Sequence, residues 1–194
     1  MLCGVVSTYG QGHFTLGIKG GVNMANLDGG SSTALYEQRT GFHVGAFTAF
    51  GVGRIALQPE IQFSSQGALY KEVGGLSNAV EKFNYVNIPV LLRYYLLNRL
   101  YVQAGPQFGF LREAYEYTGN TREDVLHLYD RSEVSLGMGV GLKLPMGITL
   151  EGRYNMGLSD ISDNPVVDEA LRNQVYQLSI GLRFIDAGSK PVVK

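Results

Sequence analysis

The sequence is short of charged residues, cysteine and tryptophan. Tryptophan is absent, Cys3 is the single cysteine, and Asp, Glu, Lys and Arg together make up 17% of the 194 residues. One cysteine excludes an internal disulfide framework and a cysteine-based zinc site. A net charge of -1 offers no basic surface to phosphates, so we expect no nucleic-acid partner. Soluble domains carry about a quarter charged residues, so this composition is not typical of a surface that faces water.

A long apolar segment is also missing. No stretch provides the roughly 20 mostly apolar residues of a membrane-spanning helix, so any span must be built from strands. Residues 1–12, MLCGVVSTYGQG, are uncharged and end in small residues, as the last part of a secretory signal does. We interpret residues 1–12 as the remnant of a signal peptide, with an unstructured leader as the alternative.

The sequence does contain a repeated alternation of large apolar residues with small or polar ones. In residues 173–184, NQVYQLSIGLRF, one face carries Tyr176, Leu178, Ile180, Leu182 and Phe184. A period of two indicates a β-strand with two unlike faces. The same pattern recurs along the chain and predicts eight strands, at residues 13–27, 40–50, 55–67, 83–96, 100–111, 132–144, 148–158 and 174–184.

The connections between these strands alternate in length. Three are short, at residues 51–54, 98–99 and 145–147, and four are long and polar, at residues 27–39, 68–82, 112–131 and 159–173. In outer-membrane barrels the short turns are periplasmic and the long loops are extracellular. We therefore predict an all-β fold, an eight-stranded antiparallel up-and-down transmembrane β-barrel over residues 13–184, with residues 185–194 as a short periplasmic tail.

Volume decides which face of the barrel meets lipid. The interior of an eight-stranded barrel is just wide enough to be filled by side chains, and the apolar faces together carry too many bulky groups to fit there. The opposite faces are rich in glycine, with a few charges, and do fit. We therefore place the apolar face in the lipid. Tyrosines such as Tyr101, Tyr154 and Tyr176 are expected in aromatic belts at the membrane interfaces.

The inward faces carry charges near the short-turn end. We predict a lumen charge network formed by Lys19, Glu60, Arg93, Lys143, Glu151, Arg153 and Arg183. Glu60 and Arg93, on adjacent strands, are its leading pair. Charges in so narrow a space must be paired, and a network that fills the cross-section leaves no continuous water path.

Candidate chemical sites are weak by comparison. His43 faces the lumen, but a lone histidine without a matched serine or cysteine is better explained as a hydrogen-bonded filler of the interior. No pair of histidines has the spacing of metal ligands. We therefore expect no catalytic residues, no metal and no cofactor.

Four segments resemble the PorT-like porin family, small outer-membrane β-barrel proteins of Bacteroidetes-type bacteria. They are LQPEIQFSSQGA (57–68), YVNIPVLLRYYL (85–96), LYVQAGPQFGFL (100–111) and GLKLPMGITLEGRYNMGLSDI (141–161). The resemblance extends over about residues 13–184. It implies a Gram-negative outer-membrane location, insertion from the periplasm by the barrel-assembly machinery, and no known catalytic residues.

The same resemblance extends to the last strand. YQLSIGLRF is similar to the C-terminal insertion signal of outer-membrane barrels, which ends on an aromatic residue. Here the signal comprises Tyr176, Leu178, Ile180, Leu182 and Phe184. Such proteins usually stop at that aromatic residue, whereas this chain continues with IDAGSKPVVK.

Two classes of function are open at this point. The first is a monomeric, non-catalytic outer-membrane barrel whose four long loops bind an extracellular ligand or envelope protein, or support envelope integrity. The second is a narrow pore for ions or very small solutes. Wide aqueous channels belong to barrels of about 16 strands, so we favour the first. A soluble lipocalin-like carrier is a third alternative.

Overall fold

The computed structural model describes residues 12–28, 34–72, 78–118, 121–125, 132–158 and 172–188. The strands are β1 (Gly12–Asp28), β2 (Ala34–Val52), β3 (Ile55–Glu72), β4 (Asn78–Tyr95), β5 (Leu100–Thr118), β6 (Thr121–Asp124), β7 (Ser132–Lys143), β8 (Ile148–Gly157) and β9 (Arg172–Gly188). A 3-10 turn, Pro145–Gly147, joins β7 to β8. Within the described ranges, no helix is long and apolar enough to cross a membrane.

The strands close into an antiparallel barrel. Strands β1 to β5 pair in succession, and β5 pairs with β7, β7 with β8, and β8 with β9. Strand β9 then pairs with β1, which closes a ring of eight strands. The short β6 adds only to the far end of β5. Closure lets backbone N–H and C=O groups pair between strands without a free edge in the hydrocarbon. The predicted eight-stranded antiparallel barrel is confirmed.

Several strands are longer than the alternation of side chains predicts. Strand β2 begins at Ala34 rather than residue 40, and β5 ends at Thr118 rather than residue 111. Strand β6 lies within a segment predicted to be loop. A hydrogen-bonded ladder needs no apolar face, so pairing continues past the residues that carry the alternation. The predicted strand ends are therefore wrong, because they make these strands too short.

The predicted chain ends are only partly within the described residues. Strand β9 runs to Gly188, so the strand passes the predicted boundary at Phe184 by four residues. Residues 1–11 and 189–194 lie outside the described part, and the signal-peptide remnant and the rest of the periplasmic tail stay predictions.

The two faces of the barrel differ as the alternation predicts. On β9, Tyr176, Leu178, Ile180, Leu182 and Phe184 point outward and are 47–63% exposed. A bulge interrupts the alternation at the end of this strand, because Leu16 pairs with Ile185 while Gly17 pairs with Arg183. The extra residue, Phe184, lets both Phe184 and Ile185 lie on the outer surface.

Candidate functional site in the barrel lumen

Lys19 of β1 lies at the centre of a group of buried charges. Its ammonium nitrogen is 2.7 Å from Glu60 Oε2 and 3.0 Å from Glu151 Oε2. Glu60 comes from β3 and Glu151 from β8, and the side chains of all three residues are at most 2% exposed. One cation thus bridges two carboxylates across the lumen.

Arg153 binds Glu60 through a bidentate contact. Its Nη1 donates to Glu60 Oε2 at 3.1 Å and its Nη2 to Glu60 Oε1 at 2.7 Å. Gln58 Nε2 donates to Glu60 Oε1 at 2.6 Å, and Gln62 Nε2 donates to Glu60 Oε2. Bidentate, charge-assisted contacts of this kind are among the strongest protein hydrogen bonds. Both carboxylate oxygens of Glu60 therefore accept hydrogen bonds from more than one donor.

Arg93 completes the group from β4. It forms an ion pair with Glu151 Oε1, and its Nε donates to Gln103 Oε1 at 3.1 Å. Tyr101 also donates its hydroxyl to Glu151 Oε1, at 2.7 Å. The Arg93 guanidinium carbon lies 4.2 Å from the centroid of the Tyr101 ring, within cation–π range. Each charge of the group therefore has a partner of opposite sign.

The expected pairing of Glu60 with Arg93 does not form among the described contacts, and that expectation is wrong. The β3–β4 register places Arg93 opposite Ala56, four residues along β3 from Glu60. Four residues correspond to about 13 Å along a strand. Arg93 instead reaches across the lumen to Glu151 on β8.

Two of the predicted residues lie apart, nearer the short turns. The Lys143 ammonium is 4.5 Å from the centroid of the Tyr95 ring. Arg183 forms an ion pair with Asp186, and its Nη2 donates to the Leu144 carbonyl at 3.3 Å. The structure thus brings together Lys19, Glu60, Arg93, Glu151 and Arg153, which we call the charged layer.

An aromatic cluster beneath the charged layer was not predicted. Tyr95 and Tyr101 are 0% exposed and their ring centroids are 5.5 Å apart. Phe47 is buried beside the cations Lys19 and Arg93. The expectation that Tyr101 lies in an interfacial belt is wrong, because its ring fills the lumen. Tyr176 is on the outer surface, 52% exposed, with its ring centroid 4.8 Å from that of Tyr154.

A register signal would have found these inward aromatics. Phe47 is directly opposite Gly17, and Tyr101 is directly opposite Gly141. A Cβ atom on Gly141 would lie 2.1 Å from Tyr101 Cζ, and one on Gly17 would lie 2.6 Å from Phe47 Cζ. Each glycine leaves the space that the facing ring occupies.

Charged side chains of the lumen also lie opposite glycines on the neighbouring strands. Lys19 lies between Gly45 and Gly181 on its two neighbouring strands. Glu151 faces Gly141, and Arg153 faces Gly139. The glycines of the inward face therefore mark, by register, where the bulky lumen side chains lie.

A second, uncharged group of side chains lies farther from the short turns. Asn23 Nδ2 donates to Ser64 Oγ at 2.8 Å, and Gln177 Nε2 donates to Asn23 Oδ1 at 3.2 Å. His43 Nδ1 is 2.7 Å from Asn23 Oδ1, and His43 Nε2 is 2.8 Å from Ser179 Oγ. We call these five residues the neutral layer.

The sequence suggested that His43 is a lone histidine, but its ring contacts two polar side chains, Asn23 and Ser179. Since the Asn23 oxygen only accepts, His43 Nδ1 carries the hydrogen and Nε2 accepts from the Ser179 hydroxyl. This is the order of nucleophile, base and orienting group in hydrolases. However, Asn23, His43 and Ser179 are 0%, 2% and 7% exposed, so no substrate reaches Ser179 while the lumen is packed. Among the described residues, no group of three or more His, Cys, Asp or Glu side chains is placed to hold a metal ion.

The closed ladder, the outward apolar surface and the polar lumen define a transmembrane β-barrel of the outer-membrane type. Residues 9–163 match the family model for the outer membrane protein β-barrel domain, so the chain belongs to this family. The protein is therefore located in the outer membrane, and the alternative of a soluble lipocalin-like carrier is wrong. No curated protein matches the sequence.

Solved structures of small surface barrels share the fold. Neisserial surface protein A matches with a TM-score of 0.55 and 12% identity, over 87% of this chain and 97% of that one. Ail, the attachment invasion locus protein of Yersinia pestis, was solved with the heparin analogue sucrose octasulfate. It matches with a TM-score of 0.50 and 17% identity, over 89% of this chain and 99% of that one. Similarity at these identities concerns the fold alone.

Proposed function

We propose that this protein is a non-catalytic outer-membrane barrel with a lumen closed by side chains, which acts through its four long connections at the cell surface. The observation that carries the proposal is the charged layer. Its three cations and two carboxylates come from β1, β3, β4 and β8 and are joined by ion pairs across the lumen. Such a network supports a closed cross-section, because its members are buried and paired with each other across the lumen.

Conductance in planar lipid bilayers tests the closed lumen. We expect the reconstituted full chain to give no steady current, while a 16-stranded porin in the same bilayer gives large steps. Large, stable, anion-selective steps would overturn the proposal and favour the narrow pore. The anion selectivity would follow from the excess of one positive charge in the charged layer, three cations against two carboxylates.

The role of the long connections is a separate part of the proposal. We propose that they bind an extracellular ligand or an envelope partner, or maintain envelope integrity. A strain that lacks the gene should regain resistance to detergent when it carries the full chain. It should not when residues 159–171 are replaced by a short glycine–serine linker. Full rescue by the shortened chain, inserted at the same level, would contradict a role for this connection.

Family subdivision and assembly belong to the same proposal. The resemblance of four segments to PorT-like porins supports placement in that group. Tyr176, Leu178, Ile180, Leu182 and Phe184 all point outward, which supports their role as an insertion signal for the barrel-assembly machinery. Each of the eight strands of the described ring pairs on both sides, so the ring offers no edge for strand pairing with a second copy, which supports a monomer. Chemical crosslinking in the native membrane should accordingly give the monomer band.

A further inference from the structure

A cavity of about 790 Å³ opens at the short-turn end of the barrel, beside β1, β2, β3, β4 and β9. Its outer wall consists of side chains that also face the lipid, Phe50, Val52, Ile55, Leu57 and Leu92, which are 47–59% exposed. Its rim includes Gly12, Gly51 and Gly188, which contribute no side chains. The cavity therefore extends from the lipid-facing surface toward the lumen.

His13 lies at the inner end of this cavity. It is 6% exposed, and neither ring nitrogen has a hydrogen-bond partner in the described structure. The ring rests against Gly51, where a Cβ atom would be 2.1 Å from His13 Cε1, and makes an edge contact with Tyr95 at 5.9 Å. A buried imidazole without partners is unfavourable, because its nitrogens lose hydrogen bonds to water and gain none.

Lys143 contacts the same Tyr95 ring. Among the described residues its ammonium has no carboxylate partner, only the ring at 4.5 Å, although the residue is 9% exposed. The nearby Asp186 is already used, because it pairs with Arg183 and accepts from Thr15 at 3.0 Å. Lys143 does not line the cavity itself, but it shares the Tyr95 ring with His13. Among the described residues, this end of the lumen thus contains one cation without a carboxylate partner and one histidine without a hydrogen-bond partner.

We propose that the short-turn rim binds one anionic phospholipid. An acyl chain would lie along the apolar wall, and the phosphate would accept hydrogen bonds from Lys143 and His13. The occupant is a lipid because the wall is continuous with the surface that faces the membrane. Its headgroup is anionic because the site supplies an uncompensated cation and a donor. In outer-membrane barrels the short turns lie at the periplasmic leaflet, so the lipid comes from that leaflet.

Native mass spectrometry of the full chain, released from nanodiscs with equal amounts of phosphatidylglycerol and phosphatidylcholine, tests this site. We expect one retained phosphatidylglycerol per chain. Lys143→Met and His13→Phe should each lower its retention about tenfold, the effect of losing one charge-assisted hydrogen bond. Phe50→Ala should lower it by shortening the wall. Arg99→Gln, which removes an exposed charge from the turn at the same end, should change nothing.

The controls separate specific lipid binding from misfolding and from binding of phosphate alone. Folding of each variant is checked by its heat-dependent gel mobility, and Lys143→Arg, which keeps the charge, should retain the lipid. Millimolar inorganic phosphate should not displace it, because free phosphate makes no contact with the apolar wall. Equal retention of both lipids by the unmodified chain, retention that none of the variants lowers, or displacement by phosphate would each overturn the proposal.

Discussion

Glu60→Ala is the most informative perturbation of the charged layer. The Glu60 carboxylate accepts hydrogen bonds from Lys19, Arg153 and Gln58 at distances of 2.6–3.1 Å. Its removal leaves three buried cations facing one carboxylate, Glu151. Breaking a fully buried pair and leaving an uncompensated charge costs about 3–5 kcal/mol, and we expect this loss in the free energy of unfolding.

Urea unfolding in detergent micelles, followed by far-ultraviolet circular dichroism, measures this loss. Glu60→Gln keeps an acceptor oxygen and should cost less than Glu60→Ala. Glu113→Ala is the matched surface control, since among the described residues Glu113 makes a single, exposed hydrogen bond, which it accepts from Asn84 at 2.8 Å. Removing that carboxylate should change the free energy by no more than about 0.5 kcal/mol.

A double-mutant cycle with Arg153→Ala then isolates the pair. The double variant removes one of the stranded cations, and Lys19 can still pair with Glu151. Its loss should therefore be smaller than the sum of the single losses, by about 1–3 kcal/mol. Additive effects, or a cost of Glu60→Ala below about 1 kcal/mol, would refute a buried and mutually dependent network.

Three further predictions concern the lipid face, the orientation and the lumen packing. Ile180→Arg, at the centre of the outward run of β9, should cost about 2–4 kcal/mol, whereas Met146→Arg in the exposed turn should cost about 0–1 kcal/mol. Equal tolerance would refute the lipid assignment. In a chain without its native cysteine, Leu158→Cys should react with an impermeant maleimide on intact cells, and Met146→Cys only after permeabilisation; the opposite pattern would reverse the orientation. Gly141→Val should cost at least about 1–3 kcal/mol by overpacking, and Tyr101→Ala in the same chain should recover part of it. No recovery would show that the ring is not the obstacle.

The barrel was predictable because alternation of side chains reports directly on the two faces of a strand. On β9 the alternation from Tyr176 to Leu182 requires one apolar and one small or polar face, and in a closed barrel of eight such strands only the small or polar faces fit inside. The inward position of the charges follows from the same phase. Five of the seven charges named from sequence meet in the charged layer.

Pairing across the lumen was not predictable in the same way. Counting residues from the short turns ignores the tilt of the strands. The count places Glu60 and Arg93 side by side, whereas the register places Arg93 beside Ala56. The aromatic cluster was missed because tyrosine at a strand end is typical of a membrane interface. The alternation of β5, in which Val102 faces outward, places Tyr101 on the inward face, and the register puts Gly141 opposite the ring.

Side chains fill the lumen at more than one height. The stability of the barrel and the closure of its lumen can therefore depend on different residues. Lys19 of the charged layer and Asn23 of the neutral layer are four residues apart on β1, or about 13 Å along the strand. The neutral layer has its own hydrogen bonds, from Asn23 to Ser64 and from His43 to Ser179, and shares none with Glu60. Loss of Glu60 should therefore weaken the barrel without opening it. A variant that is less stable yet still silent in bilayers would show that Glu60 stabilises the barrel and that the lumen stays closed without it.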